Sequence, residues 1–198
     1  MLTVKISRSC KGSSLIEVLI TLLIFAVGLL GFAGLQVNAL QSTADSGQRS
    51  QAVWINQELA ERMRANTEAG NAIYIAAAAN VDCANLPTNI CSDYYDPTAA
   101  SKVNAAVCNA TQMAAFDLWE AQCSYSSTPT YQGNANAANG RYNSRDFLTR
   151  PAGATPPLAV TAQGNGLRIT SNWLSTGSRS STGITTGENL STQLEVLR

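Results

Sequence analysis

The chain has 198 residues, and its 13 basic and 13 acidic side chains give a formal net charge of zero. This length favours one domain with at most an appended element, and an even charge balance does not favour nucleic-acid binding, which needs a basic surface. The sequence contains no histidine, which excludes His-based catalytic triads and His-ligated zinc. Three basic residues, Lys5, Arg8 and Lys11, precede the first acid, Glu17. Without those three, 10 basic and 13 acidic side chains remain, a net charge of −3.

The first predicted element is an apolar helix over Leu15–Leu35, 21 residues whose one charged side chain is Glu17. At 1.5 Å per residue such a helix spans roughly 30 Å, the thickness of the hydrocarbon core of a bilayer. The basic flank before it is expected to stay in the cytoplasm. The sequence therefore predicts a membrane-spanning helix with the C-terminal part of the chain translocated.

Three interpretations of this apolar segment differ in where the chain is cut. A secretory signal peptide cut after Ala39 is disfavoured because the apolar run exceeds the usual ~7–15 residues. An ordinary anchor leaves Glu17 unexplained, at a cost of about 2.5–3.5 kcal/mol near the bilayer centre. A cut after Gly12 instead makes Ser13 the first residue and Glu17 the fifth. The carboxylate then has a partner, because a free α-amine lies close to it in a medium of low dielectric constant.

The residues around this cut, Lys-Gly-Ser-Ser-Leu-Ile-Glu-Val-Leu at positions 11–19, resemble the class III signal of type IV prepilins and pseudopilins. The resemblance implies that a prepilin peptidase cleaves after Gly12 and N-methylates the new terminus. That terminus is Ser13 here, where Phe or Met is commoner. It also implies that Glu17 acts when the subunit docks into a filament.

A second, amphipathic part of the same helix is predicted beyond the apolar run. Apolar residues recur at intervals of three and four along one face, at Ala52, Ile55, Leu59 and Met63. Glu58–Arg62 and Arg64–Glu68 are pairs of opposite charge four residues apart, which stabilise a helix by a few tenths of a kcal/mol each. The helix is expected to end at about Asn66.

The remainder of the chain is predicted as a short helix followed by strands. The helix covers Ala110–Glu120 with Asn109 as its N-cap. Thr128–Asn143 is expected to be a surface loop and Ser175–Gly187 a linker.

An alternating pattern of apolar residues predicts a β-meander, whose first two strands are joined by a turn at residues 164–166. One strand has its core face at Leu158, Val160 and Ala162, the next at Leu167, Ile169, Ser171 and Trp173, and a last one covers Gln193–Leu197. The fold class is therefore α+β: a long N-terminal helix packed against a small antiparallel sheet, as in pilins.

Two further stretches narrow the resemblance. Residues 58–66, Glu-Leu-Ala-Glu-Arg-Met-Arg-Ala-Asn, and residues 114–120, Ala-Ala-Phe-Asp-Leu-Trp-Glu, are similar to stretches of PilV-type minor pilins. Arg62 and Arg64 are interpreted either as part of a solvated helix face or as a contact with a neighbouring subunit.

Five cysteines indicate the compartment. Cys10 lies in the leader, and the four that remain, Cys83, Cys91, Cys108 and Cys123, suggest two disulfides formed outside the cytoplasm. A continuous helix between Cys108 and Cys123 separates them by about 22 Å, whereas a disulfide needs Cα atoms roughly 4.4–6.8 Å apart. Pairing of Cys91 with Cys108 and of Cys83 with Cys123 is favoured, and the crossed alternative stays open. A thiol metal site is disfavoured because the chain has no C-x-x-C spacing.

Other motifs carry little chemistry. Asp93 and Asp96 are too few for a calcium loop, and the glycosylation sequons at Asn109 and Asn189, a pattern frequent by chance, are each interpreted as a turn or a cap. We therefore expect no catalytic residue, no metal and no cofactor.

The sequence as a whole predicts a minor pilin of a bacterial type IV pilus that is not an enzyme. We expect a cleaved leader over residues 1–12, a transmembrane and assembly helix over 13–35, and a globular pilin domain over 36–198. The resemblance implies a chain held in the inner membrane with its N-terminus cytoplasmic, then moved to a surface pilus. It implies as partners other minor pilins, the major pilin, the prepilin peptidase and the assembly platform, with the minor pilins priming assembly near the tip. The alternatives are a type II secretion pseudopilin and a membrane-anchored periplasmic adhesin or enzyme.

Overall fold

The computed structural model of the chain describes residues 14–96, 99–123, 148–175, 179–180, 183–184 and 187–197. In chain order the elements are α1 (Leu15–Ala65), α2 (Asn71–Ala79), β1 (Tyr94–Asp96), β2 (Ser101–Val103), α3 (Ala110–Gln122), β3 (Leu158–Gln163), β4 (Gly166–Leu174), β5 (Arg179–Ser180), β6 (Gly183–Ile184) and β7 (Asn189–Val196). The chain divides into two compact units, residues 1–42 and residues 43–198, and α1 contributes to both.

The central sheet of the second unit is antiparallel with strand order β3-β4-β7. Leu158 pairs with Ser171 across β3 and β4, and Trp173 pairs with Leu190 across β4 and β7. Side chains alternate along β4, so that those at positions 167, 169, 171 and 173 are buried. This alternation confirms the predicted core face of β4.

Two glycines shape the ends of β3 and β4. Gly164 lies in the turn between them with φ of +54°, a conformation that L side chains rarely adopt. Gly166 begins β4, where a Cβ atom would collide with the backbone carbonyl of Val196. The predicted turn at residues 164–166 is therefore confirmed, and it needs glycine at both ends for different reasons.

The core of the second unit lies between the sheet and the three helices. On α1, every predicted core residue, Ala52, Ile55, Leu59 and Met63, is at most 2% exposed. They pack with a single buried cluster that also contains Tyr74, Ala114, Leu118, Leu148, Leu158, Val160, Leu167, Ile169, Trp173 and Val196. The structure thus shows the predicted α+β class, with the second part of a long helix packed on a small antiparallel sheet.

One buried polar link ties α1 to this sheet. Asn56, 1% exposed, accepts a hydrogen bond of 2.6 Å from the Ser171 hydroxyl on β4. Its amide donates to the backbone carbonyl of Thr192 on β7 at 3.3 Å. Because a buried polar group without a partner is costly, this pair also fixes the helix relative to the strands.

Several predicted boundaries and gaps are corrected by the structure. Helix α2 and the two-stranded pairing of β1 with β2 were not predicted. The stretch Ser175–Gly187 is not simply a linker, because β5 and β6 pair within it. The last strand begins at Asn189 rather than Gln193, since pairing with β4 extends over its polar start. Ala162 is exposed, because β3 leaves the core before its end.

The other predicted bounds hold closely. Helix α1 ends at Ala65, one residue before the expected end, and α3 runs two residues beyond Glu120. The predicted loop over Thr128–Asn143 lies outside the described residues.

Candidate assembly helix and the Arg62 junction

The part of α1 within residues 14–42 presents its apolar side chains to the outside. The helix begins with the Ser14 carbonyl accepting hydrogen bonds from the backbone N–H of Glu17 at 2.9 Å and of Val18 at 3.2 Å. The large apolar side chains that follow, up to Leu40, are between 42% and 78% exposed. An 18-residue window of α1 reaches a mean hydropathy of 2.6, and the helix is long enough to cross a bilayer. Such a surface needs lipid or other helices around it.

Glu17 is the acid in the first turn of this apolar helix. A carboxylate is favoured at that end, because the first backbone N–H groups carry partial positive charge. Gly12 and Ser13, the predicted cleavage and methylation residues, lie outside the described residues. The remaining candidate residues, the cysteines, belong to the second unit.

The two disulfides enclose α3. Cys83 is bonded to Cys123 with Cα atoms 5.2 Å apart, and Cys91 to Cys108 with Cα atoms 5.8 Å apart. This is the pairing that the sequence analysis favours, and it differs from the crossed alternative. Cys108 directly precedes the N-cap of α3, and Cys123 is its C-cap. Both ends of α3 are therefore covalently tied to the segment that leads into it.

The N-terminus of α3 is capped as expected. The Asn109 side chain accepts a hydrogen bond from the backbone N–H of Gln112 at 2.9 Å, and the Gln112 side chain accepts one from the backbone N–H of Asn109 at 2.9 Å. The side chain of Asn189 is likewise engaged, since it bonds both the N–H and the carbonyl of Ala152. Both sequon asparagines thus have structural roles.

The Arg62 junction is the group of side chains that links α1 to α3: Arg62 and Glu58 from α1, Asp117 and Glu120 from α3, with Tyr74 of α2 beside them. Arg62 donates to Glu58 at 2.7 and 3.1 Å, to Glu120 at 2.6 Å and to Asp117 at 3.4 Å. The side chain of Arg62 is 31% exposed, whereas those of Asp117 and Glu120 are only 4% and 7% exposed. One guanidinium is therefore shared among three carboxylates at the contact of two helices.

Asp117 is a buried acid of this junction, with 4% of its side chain exposed. Burial raises the pKa of its carboxyl group above the ordinary value, and the charge of Arg62 and a hydrogen bond from Tyr74 oppose that rise only in part. The Tyr74 hydroxyl donates to Asp117 at 3.2 Å and itself accepts from the Asn66 amide at 3.2 Å. Asn66 also donates to the carbonyl of Ala110 at 2.8 Å, at the start of α3.

The structure gives Arg62 and Arg64 different roles. Arg62 makes the predicted pair with Glu58 and also contacts Asp117 and Glu120 of α3 in the same chain, so with 31% of its side chain exposed it is only partly solvated. Arg64 pairs with Glu61 at 2.6 Å, and the predicted pair with Glu68 is wrong. The reason is that α1 ends at Ala65, so Glu68 lies beyond the helix.

The two stretches that resemble PilV-type pilins therefore meet in the fold. In the second stretch, the Trp119 indole N–H donates to the backbone carbonyls of Asp82 at 3.0 Å and Asn85 at 2.9 Å. Trp119 and Cys123 form a small separate core that Tyr94 and Leu86 also contact. These tryptophan contacts hold the loop after α2 against α3.

The sequence analysis missed Tyr74, Asn56 and Ser171 as residues that position these helices. The run Asn-Ala-Ile-Tyr-Ile-Ala-Ala-Ala-Ala over residues 71–79 has high helix propensity, which could have indicated α2 and its buried Tyr74. Asn56 and Ser171 lie 115 residues apart in the chain and carry no local signal.

The acidic stretch around Asp93 is engaged within the chain. Asp93 pairs with Lys102 at 2.6 Å and accepts from the backbone N–H of Ala105 at 2.7 Å, and these bonds lower the pKa of its carboxyl group. Over the part of the chain that the structure describes, no group of three or more acidic or cysteine side chains could hold a metal ion.

Two family models match adjoining parts of the chain. A model described as the prokaryotic N-terminal methylation motif matches residues 7–33, and a model described as type IV pilin Tt1218 matches residues 34–119. A search of curated proteins found no match, and neither did a search of solved structures. The first model covers the class III signal and the second covers the rest of α1 through Trp119 of α3. The two matches and the fold together support a type IV pilin, a family of structural subunits of pili.

Proposed function

We propose that this type IV pilin is a minor pilin of the PilV type. It takes part in priming pilus assembly, in a complex of minor pilins near the tip of the filament. In this account residues 1–12 are a leader that prepilin peptidase removes after Gly12, and Ser13 becomes the N-methylated first residue. Residues 13–35 span the inner membrane with the N-terminus cytoplasmic, and residues 36–198 form the exported part. The chain then leaves the membrane for a pilus on the cell surface.

The observation that carries this proposal is the exposure of the first part of α1. Its large apolar side chains are exposed rather than packed in the core of the chain, yet its first turn carries an acid, Glu17. A simple anchor would be inserted more favourably without that acid, because a carboxylate is costly in the bilayer. An assembly helix has a use for it, since it needs a partner for the positive charge of an incoming amine.

The chemistry of Glu17 follows from the mature terminus that cleavage would create. The Ser13 amine is positively charged and loses its water when it enters a bundle of apolar helices. Breaking up a buried ion pair by removing one partner costs about 3–5 kcal/mol. Glu17 of the same subunit or of a neighbour offsets that cost, and the charge pair also sets the depth at which a subunit docks.

The second unit supports the narrower assignment to the PilV type. The two stretches that resemble those pilins form the Arg62 junction, to which the first contributes the partly exposed Glu58 and Arg62 and the second the buried Asp117 and Glu120. In the described chain these contacts act on the subunit's own fold, because they link α1 to α3.

The test compares Glu17→Ala and Glu17→Gln with Glu68→Ala. Glu68 is an exposed acid beyond the end of α1, so its variant controls for loss of one carboxylate. The measurement is the amount of each variant in sheared pili relative to the amount in the membrane fraction. We expect Glu17→Ala to be inserted and cleaved yet to be lost from pili, Glu17→Gln to be intermediate and Glu68→Ala to equal the wild type. Wild-type levels of Glu17→Ala in pili would overturn the proposed role.

A Gly12→Glu variant tests processing independently. We expect it to accumulate as an unprocessed precursor in the membrane. The mature form beginning at Ser13 in that variant would contradict the assigned cleavage site.

The fractionation of sheared pili, together with a deletion of the chain, distinguishes a pilin of the type IV pilus from a pseudopilin of type II secretion. If the wild-type chain is cleaved but absent from sheared pili, and its deletion impairs secretion of folded proteins while pili persist, the chain is a pseudopilin.

A further inference from the structure

The Arg62 junction belongs to the second unit, and its residues lie outside the predicted assembly helix over residues 13–35. Asp117 contacts Arg62 at 3.4 Å, whereas Glu58 and Glu120 contact the same guanidinium at 2.7 and 2.6 Å. Asp117 is therefore the carboxylate that lies farthest from the shared guanidinium. Its side chain is also the most buried of the three, at 4% exposed against 37% for Glu58 and 7% for Glu120.

The groups that face Asp117 come from three helices. From α1 they are Arg62 and Glu58, from α2 the hydroxyl of Tyr74, and from α3 Glu120, through the cation that both acids share. One of these groups is a cation and two are acids. A buried carboxyl group in such surroundings favours its neutral form, because burial and neighbouring negative charge both disfavour ionisation.

We propose that the Arg62 junction is a pH-responsive link between α1 and α3, in which Asp117 takes up a proton more readily than an exposed carboxyl group as the pH falls, and the folded state gains stability from that uptake. Protonation leaves the shared guanidinium to Glu58 and Glu120, which hold it at the shorter distances. The neutral carboxyl group keeps an oxygen that accepts from Tyr74. The link therefore tightens as Asp117 takes up its proton, and it does so whether or not the chain enters a pilus.

The direction of the effect follows from linkage. A carboxyl group whose pKa is raised on folding binds its proton more tightly in the folded than in the unfolded chain. Its contribution to the free energy of unfolding is therefore most favourable below the ordinary aspartate pKa of about 3.9. That contribution is lost as the pH rises through the raised folded value. Acids whose pKa is lowered in the folded chain, such as Asp82 and Asp93, act in the opposite direction.

The direct measurement is the titration of Asp117 by carbon-13 NMR on the full-length chain in detergent micelles, with the signal assigned by its absence in Asp117→Asn. We expect a midpoint above about 3.9. A Tyr74→Phe variant should move the midpoint further up, because it removes a hydrogen bond to the ionised form. A purely structural role for Tyr74 would leave the midpoint where it is.

The second measurement is urea unfolding of the full-length chain between pH 4 and pH 7.5. Relative to Asp117→Asn, the folding equilibrium constant of the wild type should rise as the pH is lowered. Glu61→Gln is the matched control, since Glu61 is 71% exposed and pairs with Arg64 on the same helix; this variant should keep the wild-type pH dependence. An Asp117 midpoint at or below about 3.9, or a pH dependence that Asp117→Asn does not change, would overturn the proposal. If Asp117→Asn does not fold, the carboxyl signal of Asp117 is assigned on the wild type by through-bond correlation with its own backbone resonances, and the NMR titration then decides the question.

Discussion

The two parts of helix α1 differ in what covers them, although they belong to one continuous helix. Up to Leu40 its large apolar side chains are at least 42% exposed, and over residues 52–63 one face is buried in the chain's own core. The second part obtains its partners from the sheet and from α2 and α3. The first part has to obtain its packing partners from a bilayer or from other helices, as expected for the apolar helix that follows a class III cleavage site. One helix thus separates folding of the subunit from its assembly.

The largest effect is expected from the covalent link of the second unit. Cys83→Ser together with Cys123→Ser removes a disulfide that closes a sequence separation of 40 residues, which should lower the free energy of unfolding by about 4 kcal/mol. Removing Cys91–Cys108, with a separation of 17, should cost about 3 kcal/mol. The measurement is urea unfolding in detergent micelles under non-reducing conditions. The reverse order of the two costs would contradict the loop-closure explanation.

The next prediction compares the two parts of α1 directly. Leu59→Ala empties a fully buried position and should lower the free energy of unfolding by about 3 kcal/mol. Leu30→Ala, on a side chain that is 74% exposed, should leave the unfolding of residues 43–198 unchanged. Tryptophan fluorescence reports the transition, since Trp119 and Trp173 are buried in the second unit. Equal effects of the two variants would show that the first part of α1 also belongs to the folded core.

A smaller contrast is expected between the two arginines of α1. Arg62→Ala leaves Asp117 and Glu120 buried without their shared cation, so it should cost about 2 kcal/mol after allowance for partial exposure. Arg64→Ala removes an exposed pair with Glu61 and should cost at most about 0.5 kcal/mol. Equal costs from urea unfolding would contradict the difference in burial between the two positions.

The sequence predicted what depends on local pattern. Apolar spacing located the buried face of α1 and of β4, and Asn109 marked the start of α3. Helix geometry between Cys108 and Cys123 narrowed the disulfide pairings. Helix α2 was missed because its N-cap, Gly70, makes no side-chain cap and its alanines show no apolar period. The start of β7 was missed because its polar residues are exposed and only pairing with β4 makes them a strand.

The candidate site likewise has one part that local sequence pattern predicts and one part that depends on long-range contacts. Gly12, Ser13 and Glu17 follow from a contiguous motif, and they stay predictions of processing and docking. The Arg62 junction could not be predicted, because Arg62 and its partners on α3 lie 55 and 58 residues apart. The stretches that hold them were conspicuous, but their contact depends on how α3 packs on α1, which no local pattern specifies.

Maturation as a pilin leaves a defined N-terminus, which can be read on the protein recovered from cells. Mass spectrometry of the N-terminal peptide should show a chain that begins at Ser13 with one methyl group on its amine. A chain that begins at Met1 would indicate an ordinary membrane anchor, and one that begins at Leu40 would indicate a secretory signal peptide. Either of those results would contradict the account.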